Sequence, residues 1–102
     1  MTTLILERDP CAVRVTANES HLVVELDDGR TVSVPLAFYP RLVHATLAER
    51  QHCEIFGQGS AIEWPDVDEH LSVEGILAGR RSGESEKSLN RWLASRSSKQ
   101  AQ

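Results

Sequence analysis

The chain has 102 residues, 40% apolar and 25% charged, with a net charge of −4. That length suits one domain around one modest core, and the composition excludes global disorder. The longest aliphatic run, Leu4-Ile5-Leu6, is far too short for a bilayer span or a signal-peptide core, so the expected location is the cytoplasm.

Charge is unevenly distributed. Residues 1–79 carry 13 acids and 5 bases, a balance of −8, whereas residues 80–102 carry 2 acids and 6 bases, a balance of +4. An acidic body over 1–79 with a basic helical tail over 80–102 is the expected organisation. The two cysteines, Cys11 and Cys53, stand outside any Cys-x-x-Cys pair, which excludes a disulfide framework and a structural zinc site. Two reduced, partly buried thiols are expected, and a redox pair between them stays open.

Residues 1–11 read as a loosely held lead-in ending at Asp9-Pro10. "VRVTA" (Val13 to Ala17) alternates apolar and polar residues and predicts a strand, with Asn18, Glu19 and Ser20 as the turn. "HLVVELDDGRTVSVPL" predicts a hairpin. A two-residue loop would set oily residues opposite polar ones. A three-residue loop, Asp27-Asp28-Gly29, instead pairs Leu26 with Arg30, Val24 with Val32 and Leu22 with Val34, and puts Gly29 in the left-handed position.

Pro35 ends the second arm. In "FYPRLVHATLAERQ", Pro40 suits a first helical position, and Tyr39, Leu42, Val43, Thr46 and Leu47 recur at helical spacing. One amphipathic helix from Pro40 to about Gln51 is predicted, with Arg41, Glu49 and Arg50 pointing outward. "CEIFGQGSAIEW" predicts a second hairpin, Cys53 to Phe56 and Ala61 to Trp64 around Gly57-Gln58-Gly59-Ser60. Its Gly-x-Gly lacks the third glycine and following helix of a nucleotide fingerprint.

The stretch from Ile62 to Gly79 holds Asp66, Asp68, Glu69, Glu74 and His70 behind a Trp64-Pro65 corner. Asp66-x-x-Glu69 has the spacing of a capping box, Ser72 suits the cap of a short helix from Val73 to Ala78, and Gly79 supplies a left-handed exit. The carboxylates are thereby expected to serve the backbone. Beyond them, a Ser85 cap and the stripe Leu89, Trp92, Leu93 predict a helix from about Glu86 to Arg96 with a frayed end, hinged at Gly79 to Gly83. The fold class expected is α+β: a small antiparallel sheet in the order β-β-β-α-β-β, then short helices and a C-terminal helix.

The residues quoted also carry a resemblance. Asp28-Gly29, Pro35-Leu36 with Tyr39-Pro40-Arg41-Leu42, and Trp64-Pro65 with Asp68 and Leu71-Ser72 resemble the bacterial family called domain of unknown function 2442, over about Val13 to Gly79. The resemblance implies a small α+β domain. Some longer members continue into a helix-turn-helix DNA-binding domain, which this chain is expected to be too short to hold. Others look like one half of a two-gene pair with another small protein, an arrangement that resembles toxin–antitoxin systems. No catalytic residues are established for the family, so the resemblance implies none here.

Three function classes follow. A hydrolase would need two of the carboxylates converging on one substrate. A metal site would draw on His70 with Asp66 or Asp68, or on His52 with Cys53, but neither His-x-x-x-His nor Cys-x-x-Cys occurs. No Gly-x-Ser-x-Gly elbow is present. Neither catalytic nor metal-binding residues are therefore assigned, and no cofactor is expected.

The leading expectation is a non-enzymatic interaction module that binds a small protein or itself, through its C-terminal helix or an open sheet edge. Arg80, Arg81, Leu89, Arg91, Trp92, Leu93 and Arg96 would carry that contact. Structural roles fall to Gly29, Pro40, Trp64, Pro65, Asp66, Glu69, Ser72 and Gly79. A nucleic-acid-binding regulator using the basic tail is the alternative, and a carboxylate- or metal-dependent enzyme the third.

Overall fold

A computed structural model describes residues 10–100, with side chains through Arg96. Most of the expected lead-in over 1–11 lies outside the described residues. Two three-stranded antiparallel sheets form the α+β body. The first contains β1 (Ala12–Ala17), β2 (His21–Leu26) and β3 (Thr31–Pro35) in that order; the second contains β4 (Glu54–Phe56), β5 (Ala61–Trp64) and β6 (Glu69–Ser72).

The β2–β3 hairpin has the expected register. Leu22 faces Val34, Val24 faces Val32, and the Leu26 amide donates to Arg30 O at 2.8 Å. Gly29 sits at φ 94, where a side chain would be strained. Leu22, Val24, Leu26 and Val34 thereby fall on one face and are buried. They join Tyr39, Leu42, Ile62, Trp64 and Val67 in a single core.

Two helical expectations are corrected. The segment from Pro40 to Gln51 is not one helix but two single-turn pieces, α1 (Pro40–Val43) and α2 (Leu47–Gln51). His44 leaves helical geometry, and Thr46 at ψ 164 begins a true capping box: its hydroxyl accepts from the Glu49 amide while Glu49 accepts from the Thr46 amide. The break denies the last carbonyls of α1 their i→i+4 partners, and the Ala45 amide reaches Leu42 O at 3.3 Å. Arg50 fills the role, donating from Nε to Leu42 O and from Nη2 to Val43 O, both at 2.8 Å.

The second correction concerns Asp66 and Glu69. No helix begins there. Residues 65–68 turn, Asp68 adopts φ 54, and Glu69 enters β6, pairing with Trp64. Aspartate tolerates the left-handed region, so Asp68 closes a hairpin, and Glu69-His70-Leu71-Ser72 then alternates half-buried and exposed with the period of a strand. Spacing alone imitated a cap, but ladder pairing with β5 satisfies these amides instead.

Downstream, Ser72 accepts from the Gly75 amide at the start of α3 (Val73–Leu77), and Gly79 exits at φ 73, both as expected. The C-terminal helix α4 runs Glu86–Gln100, four residues beyond the predicted end, with Ser85 accepting from the Ser88 amide. Among the described residues no helix is long and apolar enough to cross a membrane.

Candidate functional site

Trp64 anchors the centre of the molecule. It is fully buried, and its indole N–H donates to Arg50 O at 2.9 Å, so the ring is fixed by packing and by a satisfied donor. Pro65 then turns the chain, and the acids after it diverge. Asp66 bonds His52 Nδ1 at 2.7 Å, which holds the imidazole above its ordinary value. The Asp68 side chain is 93% exposed and lies 3.7 Å from Arg41. Glu69 turns inward from β6. The three acids have different hydrogen-bond or ion-pair partners: Asp66 holds His52, Asp68 lies beside Arg41, and Glu69 accepts from the His70 amide.

Glu69 has an unusual environment. Its Oε1 accepts from the His70 amide, but its Oε2 is buried and has no hydrogen-bond partner among the described residues. Burial pushes its carboxyl above the ordinary range. The Tyr39 hydroxyl is also buried and has no partner among the described residues, and burial together with the Glu69 charge raises it. Both residues line a pocket of about 240 Å³ between β6, α3 and the segment that leaves α3. Arg80 and Arg81 stand on the same lining. The sequence marks neither residue as a site: Tyr39 reads as one member of a helical stripe and Glu69 as half of a capping box, and nothing local signals that the hydroxyl goes unpaired.

The tail is tied to the body. Ser82 donates its amide to Phe38 O at 2.9 Å, and the Arg81 guanidinium lies 4.3 Å from the Phe38 ring centroid. Arg41, expected to point outward, has a side chain only 16% exposed and grips Glu84 through Nε and Nη2. Glu49, also expected outward, accepts from Arg96 at 2.8 and 3.2 Å. Between these pairs Trp92 packs against the core, with the Arg41 and Arg96 guanidiniums 5.0 and 4.7 Å from its ring centroid. The apolar stripe of α4 thus has cover within its own chain: Trp92 is buried in part, as are Leu89 and Leu93, whereas Arg80 and Arg91 are exposed.

Cys11 and Cys53 are not bonded to each other, and burial raises the Cys53 thiol, which keeps it protonated and poorly nucleophilic. Among the described residues no group of three or more His, Cys, Asp or Glu side chains is arranged to hold a metal ion. The apolar side chains left exposed include Val13, Leu47, Ile55 and Phe56, on β1, α2 and β4, and β1 touches both of the other elements.

Comparison with known proteins follows the same outline. A crystal structure of a protein of unknown function from Rhodospirillum rubrum is similar, with a TM-score of 0.68 and 26% sequence identity. The likeness covers 76% of this chain and 95% of that one. No curated protein matches. The model of the family described as "Protein of unknown function (DUF2442)" matches residues 12–82, from the start of β1 through the strap after α3, and the chain belongs to that family.

Proposed function

We propose that this domain is a non-enzymatic interaction module, cytoplasmic and bacterial, that binds another small protein as an antitoxin-like or regulatory partner. One observation supports it most: Val13 and Leu47 are 58% and 53% exposed, and with Ile55 they occupy β1, α2 and β4, of which β1 touches the other two, whereas Phe56 points to the opposite face of β4 and packs edge-on against His70. Large apolar side chains grouped on touching elements mark association surfaces more often than isolated ones do. The two-gene arrangement that the family resemblance implies for some members fits the same reading. Packing of Trp92 on its own body shifts the proposed contact from the tail stripe to this strip.

The test is affinity purification from the native host with the full chain and with a Val13→Asp, Leu47→Asp variant. Both side chains are exposed, so the variant should fold. Loss of the co-purifying protein in the variant is the expected result. Undiminished recovery of the same partner would end the proposal.

A second reading, nucleic-acid binding, is favoured by the exposed Arg80, Lys87 and Arg91 on and before α4. It requires duplex binding that weakens steeply with salt, and replacing Arg80 and Arg91 by Ala should reduce the salt slope by about 1 for each phosphate contact removed.

A further inference from the structure

The pocket beside β6 combines features that bulk packing does not explain. The Glu69 Oε2 and the Tyr39 hydroxyl are both withdrawn from solvent, and among the described residues neither has a partner, not even the other. A buried polar atom left unpaired costs about 1–3 kcal/mol, and more when charged, so folds rarely keep two at one place without use. Arg41 relieves Glu69 only in part: its charge favours the carboxylate, but its N–H groups are bonded to Glu84 and to Val67 O and burial still outweighs it. On the same lining stand two further cations, Arg80 and Arg81, whose side chains are exposed. Leu71 and Ile76 supply an apolar wall.

The ligand that answers all of these groups has a positive donor at one end, a negative acceptor at the other and a short apolar body. Once the lining parts enough to admit it, an ammonium donates to Glu69 Oε2 and to the Tyr39 oxygen, restoring both missing bonds and compensating the buried charge. A carboxylate meets Arg80 or Arg81. A pocket of about 240 Å³ is below the usual range for drug-sized ligands, about 300–1,000 Å³, and suits a small metabolite. From this arrangement we propose that the pocket binds a free α-amino acid with a small to medium apolar side chain. This site is separate from the apolar strip around β1 and β4 and does not rest on the protein-binding proposal.

The test is isothermal titration calorimetry of the full chain with L-alanine, L-valine and L-leucine. The amide and the N-acetyl derivative of the best binder form two further arms. One of the free amino acids should bind, and removing either terminal charge should weaken binding by about tenfold or more. Glu69→Gln should reduce affinity to a similar degree. Should that variant fail to fold, the paired Arg80→Ala, Arg81→Ala variant, which gives up the Arg81 contact with the Phe38 ring but no buried side chain, carries the same expectation. Absence of heat with all three amino acids would overturn the proposal. So would an amide that binds as well as the parent, since that result would point to the amino terminus of a peptide instead. Full affinity in the double arginine variant would also refute it.

Discussion

Arg41 and Glu84, 43 residues apart in sequence, meet in a two-pronged ion pair, with Nε and Nη2 of the arginine 2.9 and 2.6 Å from the two carboxylate oxygens. The pair holds the strap between α3 and α4 against the body, and Ser88 adds a hydroxyl donor to the same carboxylate at 2.8 Å. The arginine bond is the main cause that keeps Glu84 below the ordinary carboxylate range. Because both side chains are largely withdrawn from solvent, the pair is worth more than an exposed one. Glu84→Gln should therefore cost about 1–3 kcal/mol in urea unfolding. It should also speed amide exchange at the start of α4, and unchanged exchange there would show that the strap is held by other contacts.

The capping box at Thr46 should be measurable separately. Thr46→Ala removes the acceptor for the Glu49 amide and should lower stability by about 1 kcal/mol. Because Glu49 also receives Arg96, looser holding of its side chain should appear as faster exchange in α4 as well as in α2.

Two glycines at the same φ of +94 separate conformational strain from crowding. A Cβ at Gly29 would meet nothing within 4 Å, whereas at Gly59 it would lie 2.6 Å from the Cys11 Cβ and 2.9 Å from Ala12 O. Gly29→Ala should cost about 1–2 kcal/mol from the left-handed backbone alone. Gly59→Ala carries the same strain and must also push β1 from the Gly57–Gly59 turn, so it should melt at a clearly lower temperature. Equal melting temperatures would show that β1 yields freely.

Stability as a function of pH should reveal Glu69. Its folded carboxyl lies above its ordinary value of 4.5 because burial disfavours the charge. Its stabilising contribution is full below about 4.5 and is lost as pH rises through the folded value. Glu49 and Glu84 are shifted the other way, so their contributions are present above that range and lost as pH falls. Those opposing effects are common to the parent and to Glu69→Gln and cancel in the difference between them. The two proteins should melt alike at low pH, and the variant should melt higher near neutrality. A variant that is less stable at pH 7 would show that the ionised carboxylate has a partner in solution.

His52 offers a spectroscopic check of the Trp64-Pro65 corner. The Asp66 carboxylate raises its imidazole from the ordinary 6.5. The charged form is favoured below that value, and the benefit fades as pH rises through the folded one. In an NMR titration, Asp66→Asn should bring His52 back toward 6.5. An unmoved titration would mean the contact is not kept in solution.

The sequence by itself determined features whose causes lie within a few residues. The register of the β2–β3 hairpin follows from Leu22, Val24, Val32 and Val34 needing one face and from Gly29 needing positive φ. The caps at Ser72 and Ser85 and the exit at Gly79 are equally local. Thr46-x-x-Glu49 was legible too, but the helical stripe around it masked the stop it encodes. Only the tertiary structure decided that Glu69 belongs to a strand, because a four-residue alternation is weak until β5 lies beside it to pair with its amides. The same holds for Arg41 with Glu84, Glu49 with Arg96, and the unpaired Tyr39 hydroxyl over the pocket. Ion pairs and burial depend on which groups packing brings within a few ångströms, and that proximity is a property of the folded chain and not of spacing along it.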